Sequence, residues 1–253
     1  MTTPVTVYVL THCEAANLRE LLPTVTWADE VLVVDSFSND GTGEVCREFG
    51  VRHVNVAFNG FGQLRNEALK LASNRWIVSI DSDERSTPEF AAEVRQTLTA
   101  PQHVAYFVPR RNFFLGHPVR YCGMYPDYRQ PQVFDRQQFR YRDDLVHEGF
   151  DCTGSIGYFK HAIIQHPFPT LAVVMAKNER YTTLMAQRYF KDGRRAGFGR
   201  LAFSPLAGFL KKYFVQQGFR EGMHGFLIAG LHAYYTFVKY AKLWELQRQS
   251  VKH

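Results

Sequence analysis

The sequence of 253 residues predicts an α/β protein: a mixed, mostly parallel sheet flanked by helices, followed by a C-terminal helical extension. Three observations lead there. In roughly the first 100 residues, short β-branched runs alternate with helical patterns of ordinary length, which is the signature of βαβ units. The stretch from Pro109 to Pro169 changes character and is loop-rich, aromatic and Arg-rich. From Thr170 onward the pattern is helical, with aromatic and basic residues interleaved.

The strands are expected at Val5–Leu10, Glu30–Val34, His53–Val56, Trp76–Ile80 and Val104–Val108. Helices are expected around Asn17–Leu22, Gly43–Phe49, Gly62–Ala72 and Pro88–Leu98. The last has a clear start, with Thr87 as N-cap, Pro88 at the first helical position and Glu89 in the first turn. No internal repeat or low-complexity linker interrupts the chain. This predicts a catalytic domain over 1–169 and a helical, basic and aromatic extension over 170–253. In parallel sheets ligands bind beyond the carboxyl ends of the strands, so chemistry is sought there.

Composition narrows the class. Hydrophobic residues at 45% and charged residues at 21% suit a folded globular chain. The formal charge of +6 fits an anionic lipid or phosphorylated substrate, but the basic residues form no single stripe and no nucleic-acid motif occurs. Cys13, Cys46, Cys122 and Cys152 form no Cys-x-x-Cys pair and read as free thiols. Met1–Val7 lacks a basic stretch followed by an apolar run, which predicts no secretory signal and a cytoplasmic protein. The uncharged stretch Met223–Val238 is shorter than the roughly 20 residues a membrane span needs.

Three of the first four strands run into acidic residues. They lead into Thr11-His12-Cys13-Glu14, Asp35-Ser36-Phe37-Ser38-Asn39-Asp40-Gly41-Thr42 and Asp81-Ser82-Asp83-Glu84. Turn building and capping explain Asp40-Gly41-Thr42. They explain Asp81 and Asp83 poorly, because two carboxylates converging at a strand end repel each other unless a cation lies between them. A hard divalent cation that also takes diphosphate oxygens fits that position. Neither a P-loop nor a Gly-x-Gly-x-x-Gly turn follows the first strand, so phosphate would be held by metal, by Arg65 or by backbone N–H groups.

These residues resemble the family 2 glycosyltransferases of GT-A fold, and more narrowly the bacterial lipopolysaccharide-core β-1,4-glucosyltransferases. The matching pieces are Trp27-Ala28-Asp29-Glu30, Val33-Val34-Asp35-Ser36, Gly60-Phe61-Gly62-Gln63 with Arg65-Asn66, and Asp81-Ser82-Asp83-Glu84-Arg85. Further on come Pro109-Arg110-Arg111-Asn112-Phe113-Phe114-Leu115-Gly116, Tyr125-Pro126-Asp127-Tyr128, Asp143-Asp144-Leu145-Val146-His147-Glu148, His166 and Lys177-Asn178-Glu179-Arg180-Tyr181. The resemblance implies nucleotide-sugar binding over roughly 1–100 and an acceptor side over roughly 101–169. It implies an inverting transfer of a sugar, glucose, from a UDP-sugar to a lipopolysaccharide-core or other lipid-linked saccharide. A Mg or Mn ion would assist, with UDP-glucose as the expected donor.

By position, the resemblance gives base and ribose contacts to Thr11, Glu14 and Asp35, and places Arg65 near the phosphates. Asp83 would bind the metal, Asp81 would lean on ribose or a metal-bound water, and His166 would complete the metal shell; a structural histidine before Pro167 is the competing reading. Inverting transfer needs a base for the acceptor hydroxyl. Asp127, Asp143, Asp144 and Glu148 are the candidates. If 142–149 is extended, Asp144 and Glu148 share a side, and Glu148 is expected to be the base with Asp144 second. Salt bridges to Arg140 and Arg142 are the structural alternative.

Several positions depart from the family pattern. Thr11-His12-Cys13-Glu14 replaces a usual Thr-Lys-Asn-Glu; Tyr121-Cys122-Gly123-Met124 and Gln130-Pro131-Gln132-Val133-Phe134 alter the acceptor side. In the extension, Phe209, Leu210, Tyr213, Phe214 and Phe219 alternate with Lys211, Lys212 and Arg220. This predicts either peripheral contact with the anionic cytoplasmic face of the inner membrane or a helix pair packed internally. The functional alternatives to sugar transfer are nucleotidyl transfer on a related α/β architecture and non-catalytic nucleotide-sugar binding. The former usually carries a Gly-rich Lys/Arg loop after its first strand, which is absent here.

Overall fold

The computed structural model describes residues 3–142 and 149–250. The chain divides into two compact units, Met1–Arg110 with Asp127–Gln165, and Arg111–Pro126 with His166–His253. In chain order the elements are β1 (Val5–Thr11), α1 (Ala15–Leu21), β2 (Glu30–Asp35), α2 (Thr42–Glu48), β3 (Arg52–Asn55), α3 (Phe61–Leu71), β4 (Trp76–Asp81), β5 (Glu84–Arg85), α4 (Pro88–Thr97) and β6 (Ala105–Phe107). Then follow β7 (Arg110–Phe114), β8 (His117–Pro118), β9 (Pro131–Asp135), β10 (Phe139–Tyr141), β11 (Phe150–Cys152), β12 (Ile156–Tyr158), β13 (Ile163–Phe168), α5 (Leu171–Lys191), α6 (Phe198–Leu210) and α7 (Gly222–Ser250).

The first unit holds a seven-stranded sheet in the order β12-β6-β9-β4-β1-β2-β3. Pairs β1/β2, β1/β4, β2/β3 and β6/β12 are parallel, whereas β9 runs antiparallel to both β4 and β6. The sheet is thus mixed and mostly parallel, as expected. Alternate residues of β1 feed two cores. Val5, Val7 and Val9 join Leu18, Leu21, Phe90 and Val94 on one face; Tyr8 and Leu10 join Leu64, Ala68 and Phe134 on the other. Burial on both sides is why β1 reads as a continuous apolar run.

Local chemistry starts the helices where expected. Thr87 accepts from the Phe90 N–H at 3.1 Å and Pro88 opens α4. Gly41, at φ 92°, lets the chain turn into α2, while Asp40 accepts from the Thr42 N–H and hydroxyl. None of the four cysteines is in a disulfide.

The stretch read as loop-rich is instead dense in short strands, β7 to β13. They run from two to six residues, too short to show a period-two pattern, and β9 is buried throughout although it carries Gln132 and Asp135. Gln132 reaches Glu84, and Asp135 receives Arg75 at 2.6 Å. Those polar partners let a buried strand look amphiphilic in sequence.

In the second unit, α7 packs along α5 and α6. Lys242 Nζ caps the contact by donating to the Glu179 carboxylate and to the Thr182 and Thr183 hydroxyls. Yet α6 buries none of its own residues, and Phe198 is 84% and Phe203 67% exposed. No helix among the described residues is long and apolar enough to cross a membrane.

Candidate functional site

The carboxyl edge of the seven-stranded sheet brings together Asp35 of β2 and Asp81 of β4, on either side of the end of β1. β1 ends at Thr11 opposite Asp35 of β2, and Leu10 pairs with Asp81 of β4. The sheet register therefore places three of the predicted donor-site positions side by side.

Asp81 rests on a buried cation. Arg65, on α3 and 4% exposed, donates to the Asp81 carboxylate at 3.0 Å and to the Ser79 hydroxyl at 3.0 Å. Its guanidinium lies 5.4 Å from the Tyr141 ring centre, above the hydrogen-bonded Tyr8 and Tyr141 hydroxyls. Arg65 is also the residue expected near the phosphates. Burial pushes the Asp81 pKa up, but Arg65 and then Arg110 outweigh it and hold the group below the usual carboxylate range.

Beneath this edge lies a charge pair that the sequence did not announce. Glu84, fully buried, accepts from Arg110 Nε at 2.6 Å, from the Asp81 N–H at 2.9 Å and from Gln132 Nε2 at 3.0 Å. Arg110 is 2% exposed, and its backbone bridges to Asp127. Burial drives the Glu84 pKa upward; Arg110 opposes, Asp81 and Asp83 add repulsion, and the group settles at about 7. Burial also works against the charge of Arg110, but Glu84 outweighs it and the guanidinium stays charged.

Asp83 accepts from Gln165 Nε2 at 3.1 Å. Glu84, Arg110, Gln132 and Gln165 are the residues that sequence reasoning passed over. The available signals were an Arg directly after an apolar strand and a carboxylate directly after Asp-x-Asp, and both pointed equally well to surface turns.

On the other side of Asp81, Thr11 is buried, and its Oγ1 has no hydrogen-bond partner among the described residues. Asp35 is 2% exposed and engaged through both oxygens, by the Ser38 hydroxyl at 2.5 Å and by His53 Nε2 at 3.0 Å. Glu14 is half-buried and receives the Asn17 amide. His166, on β13 in the second unit, packs its ring 4.7 Å from that of Phe113. Glu148 and Asp144 lie outside the described residues.

The donor set suits a hard divalent cation. Asp81, Asp83 and Glu84 bring three carboxylates near two guanidiniums; burial chiefly raises the Glu84 pKa, and repulsion from Asp81 and Asp83 adds to it. Oxygen ligands of this kind select Mg or Mn over softer metals. Among the described residues no group of three or more His, Cys, Asp or Glu side chains could hold an ion.

The chain is 28% identical to the lipopolysaccharide core biosynthesis glycosyltransferase LpsC of Rhizobium meliloti, over 98% of this chain and 94% of that protein. It is 24% identical to a glycosyltransferase of Rickettsia prowazekii, over 97% of this chain and 88% of that one. Among solved structures, the mannosyltransferase PcManGT from Pyrobaculum calidifontis, in complex with GDP-Man and Mn2+, superposes with a TM-score of 0.55 at 17% identity. That match covers 97% of this chain and 88% of PcManGT, and the shared architecture is the GT-A fold. The family model for glycosyl transferase family 2 matches residues 6–166, more than half of the sequence, and the chain belongs to that family.

Proposed function

We propose that this glycosyltransferase is an inverting, metal-dependent enzyme that moves glucose from UDP-glucose to a lipopolysaccharide-core or other lipid-linked saccharide. The observation that carries the reading is the acidic carboxyl edge of the sheet, with Asp81 held by buried Arg65 and Asp83 beside the Glu84–Arg110 pair. The identity to LpsC along almost the whole chain supports a saccharide acceptor of the core type.

In this reading Thr11, Glu14 and Asp35 hold the base and ribose. Asp83 ligates the metal, with His166 as the further ligand implied by the resemblance, and Asp81 leans on ribose or a metal-bound water. The Mn2+ and nucleotide sugar bound to PcManGT are consistent with that use of the fold. When bound, the ion would neutralise charge developing on the departing diphosphate. Arg65 keeps Asp81 ionised and oriented. Glu148, with Asp144 beside it in the sequence-based reading, removes the acceptor hydroxyl proton. The hydroxyl oxygen then bonds to the anomeric carbon from the side opposite the breaking bond to diphosphate, which inverts the centre.

Peripheral attachment to an anionic membrane belongs to the same proposal, because a lipid-linked acceptor lies in the membrane plane. The exposed Phe198, Phe203, Leu206, Phe214 and Val215 support it. Of the three basic residues singled out in the sequence, Lys212 also donates to the Cys122 carbonyl and Arg220 stacks over Tyr121 at 4.4 Å. The aromatic surface therefore carries more of this argument than the charges do.

A donor screen with Mn or Mg tests the assignment, following nucleoside diphosphate release with and without membrane lipid extract. Asp83→Ala is expected to abolish release while keeping the fold. Full activity of a folded Asp83→Ala protein at saturating donor would overturn it.

A further inference from the structure

An exposed aromatic cluster stands apart from the acidic residues on the same edge of the first unit. β6 and β12 pair in parallel with Tyr158 opposite Phe107, and the two rings stack at 5.2 Å and 24°. Tyr128 stands edge-on to both, 5.2 Å from Tyr158 and 6.3 Å from Phe107. Tyr158 is 64% and Tyr128 39% exposed. Such rings usually retreat into a core, and this cluster keeps faces in solvent although Phe107 also touches the Phe150 ring.

The register that builds the cluster is tightly set. A Cβ at Gly157 would come within 2.5 Å of the His103 ring and 2.8 Å of the Tyr106 ring, so only glycine lets β12 approach β6 this closely. Tyr106 and Val78 both face Val133 of β9, which puts Phe107 about level with Ser79, near the carboxyl end of β4. Tyr158 and Phe107 point to the face that carries Tyr8, Leu10 and Ile77, where Arg65 holds Asp81. Adjacent strands lie 4.7–4.9 Å apart, so the cluster begins about 10 Å from β4 and reaches about 14 Å, a span that a short saccharide bridges.

On either side of Tyr128 in the chain stands a charged pair. Asp127, whose backbone bridges to Arg110, receives the Arg129 guanidinium at 2.7 Å, and the Arg129 side chain is 51% exposed. A pyranose ring has a face of C–H groups and a rim of hydroxyls. The first suits the electron-rich face of an aromatic ring, the second a carboxylate and a guanidinium.

We propose that Phe107, Tyr128 and Tyr158 form the platform on which a pyranose ring of the saccharide acceptor stacks, with Asp127 and Arg129 taking its hydroxyls. This rests on the reading of the protein as a transferase to a saccharide. The platform fixes which acceptor ring lies next to the donor site and thus which hydroxyl is glycosylated.

The test uses the full chain with delipidated lipopolysaccharide core oligosaccharide as acceptor probe and UDP-glucose as donor. Binding of each is measured by calorimetry, and transfer by steady-state kinetics. Tyr158→Ala and Tyr128→Ala are each expected to weaken oligosaccharide binding and raise the acceptor KM by about two- to tenfold, the effect of losing one aromatic face. Donor affinity should stay within twofold (roughly 0.4 kcal/mol) in both. Tyr158→Phe keeps the ring face and should retain more oligosaccharide affinity than Tyr158→Ala. If wild type binds the oligosaccharide and both alanine variants bind it equally well, the platform is refuted while saccharide transfer stands. Equal loss of donor and acceptor binding would make the cluster a cover for the sheet edge and also refute it. If wild type binds donor but neither binds nor glycosylates the oligosaccharide, the acceptor class and the platform fail together.

Discussion

The buried Glu84–Arg110 pair offers a sharp test of how the acidic edge is held. Glu84→Gln changes almost nothing in shape. All three groups around the carboxylate, however, are donors: Arg110 Nε at 2.6 Å, the Asp81 N–H at 2.9 Å and Gln132 Nε2 at 3.0 Å. A glutamine can accept at only one of its two terminal atoms, so its NH2 must face a donor. Arg110, 2% exposed, keeps its charge and loses its closest counter-ion. Removing one member of a buried pair costs about 3–5 kcal/mol, and solvent does not screen a pair this deep. Relief of repulsion from Asp81 and Asp83 offsets part, so about 3 kcal/mol is expected. At roughly 2–4 °C per kcal/mol for a chain of this size, the midpoint should fall by about 6–12 °C. The paired change Glu84→Met with Arg110→Met should recover most of that loss, since no buried charge is then orphaned. Denaturant titration at pH 8, where Glu84 is ionised, followed by circular dichroism reads all of this. A gap under 1 kcal/mol (about a fivefold change in the folding constant) would refute the reasoning.

Other outcomes follow from the same geometry. A chelator should weaken UDP-glucose binding in calorimetry, and unchanged affinity would remove the metal from the donor site. Glu148→Gln should leave donor affinity nearly intact while transfer falls by roughly 10² to 10⁴, with Asp144→Asn milder. A severe Asp144→Asn with a near-normal Glu148→Gln would exchange the two roles. Phe198→Ser with Phe203→Ser should reduce co-sedimentation with anionic vesicles more than neutralising Lys211, Lys212 and Arg220 does. Undiminished binding of both variants would speak for an internal role of these helices.

Much of the first 100 residues was legible in the sequence because its signals are local. Thr87-Pro88-Glu89 marks a helix start within three residues, and Asp81 ends an apolar run that is buried from Trp76 to Ile80. The Glu84–Arg110 pair was not legible: its members lie 26 residues apart, and nothing but the fold brings β5 and Arg110 together. The short strands after Pro109 escaped for a related reason. β9 takes its place between β4 and β6 through pairing rather than propensity, and it hides Gln132 and Asp135 behind partners at Glu84 and Arg75. That Arg65 reaches the Asp81 carboxylate was not legible, because sequence spacing does not reveal that α3 aims it at the end of β4. Base candidates Glu148 and Asp144 rest on sequence alone.

The order of strands across the sheet also bears on how the molecule comes into being. β1 to β4 are neighbours or near neighbours both along the chain and in space, so they can assemble as soon as residue 81 has been synthesised. The place beside β4 must then wait for β9, some fifty residues later, and the far edge waits for β12. Until they arrive, the main-chain groups of β4 on that side, along an apolar strand, are open to pairing with other chains. The nascent protein is thus most vulnerable to aggregation between the synthesis of β4 and that of β9, an interval in which the four parallel strands β1 to β4 are complete and the rest of the sheet does not yet exist. Substitutions that slow the docking of β9, such as those at Gln132 or Asp135, are for that reason expected to lower soluble yield out of proportion to their effect on the stability of the finished fold.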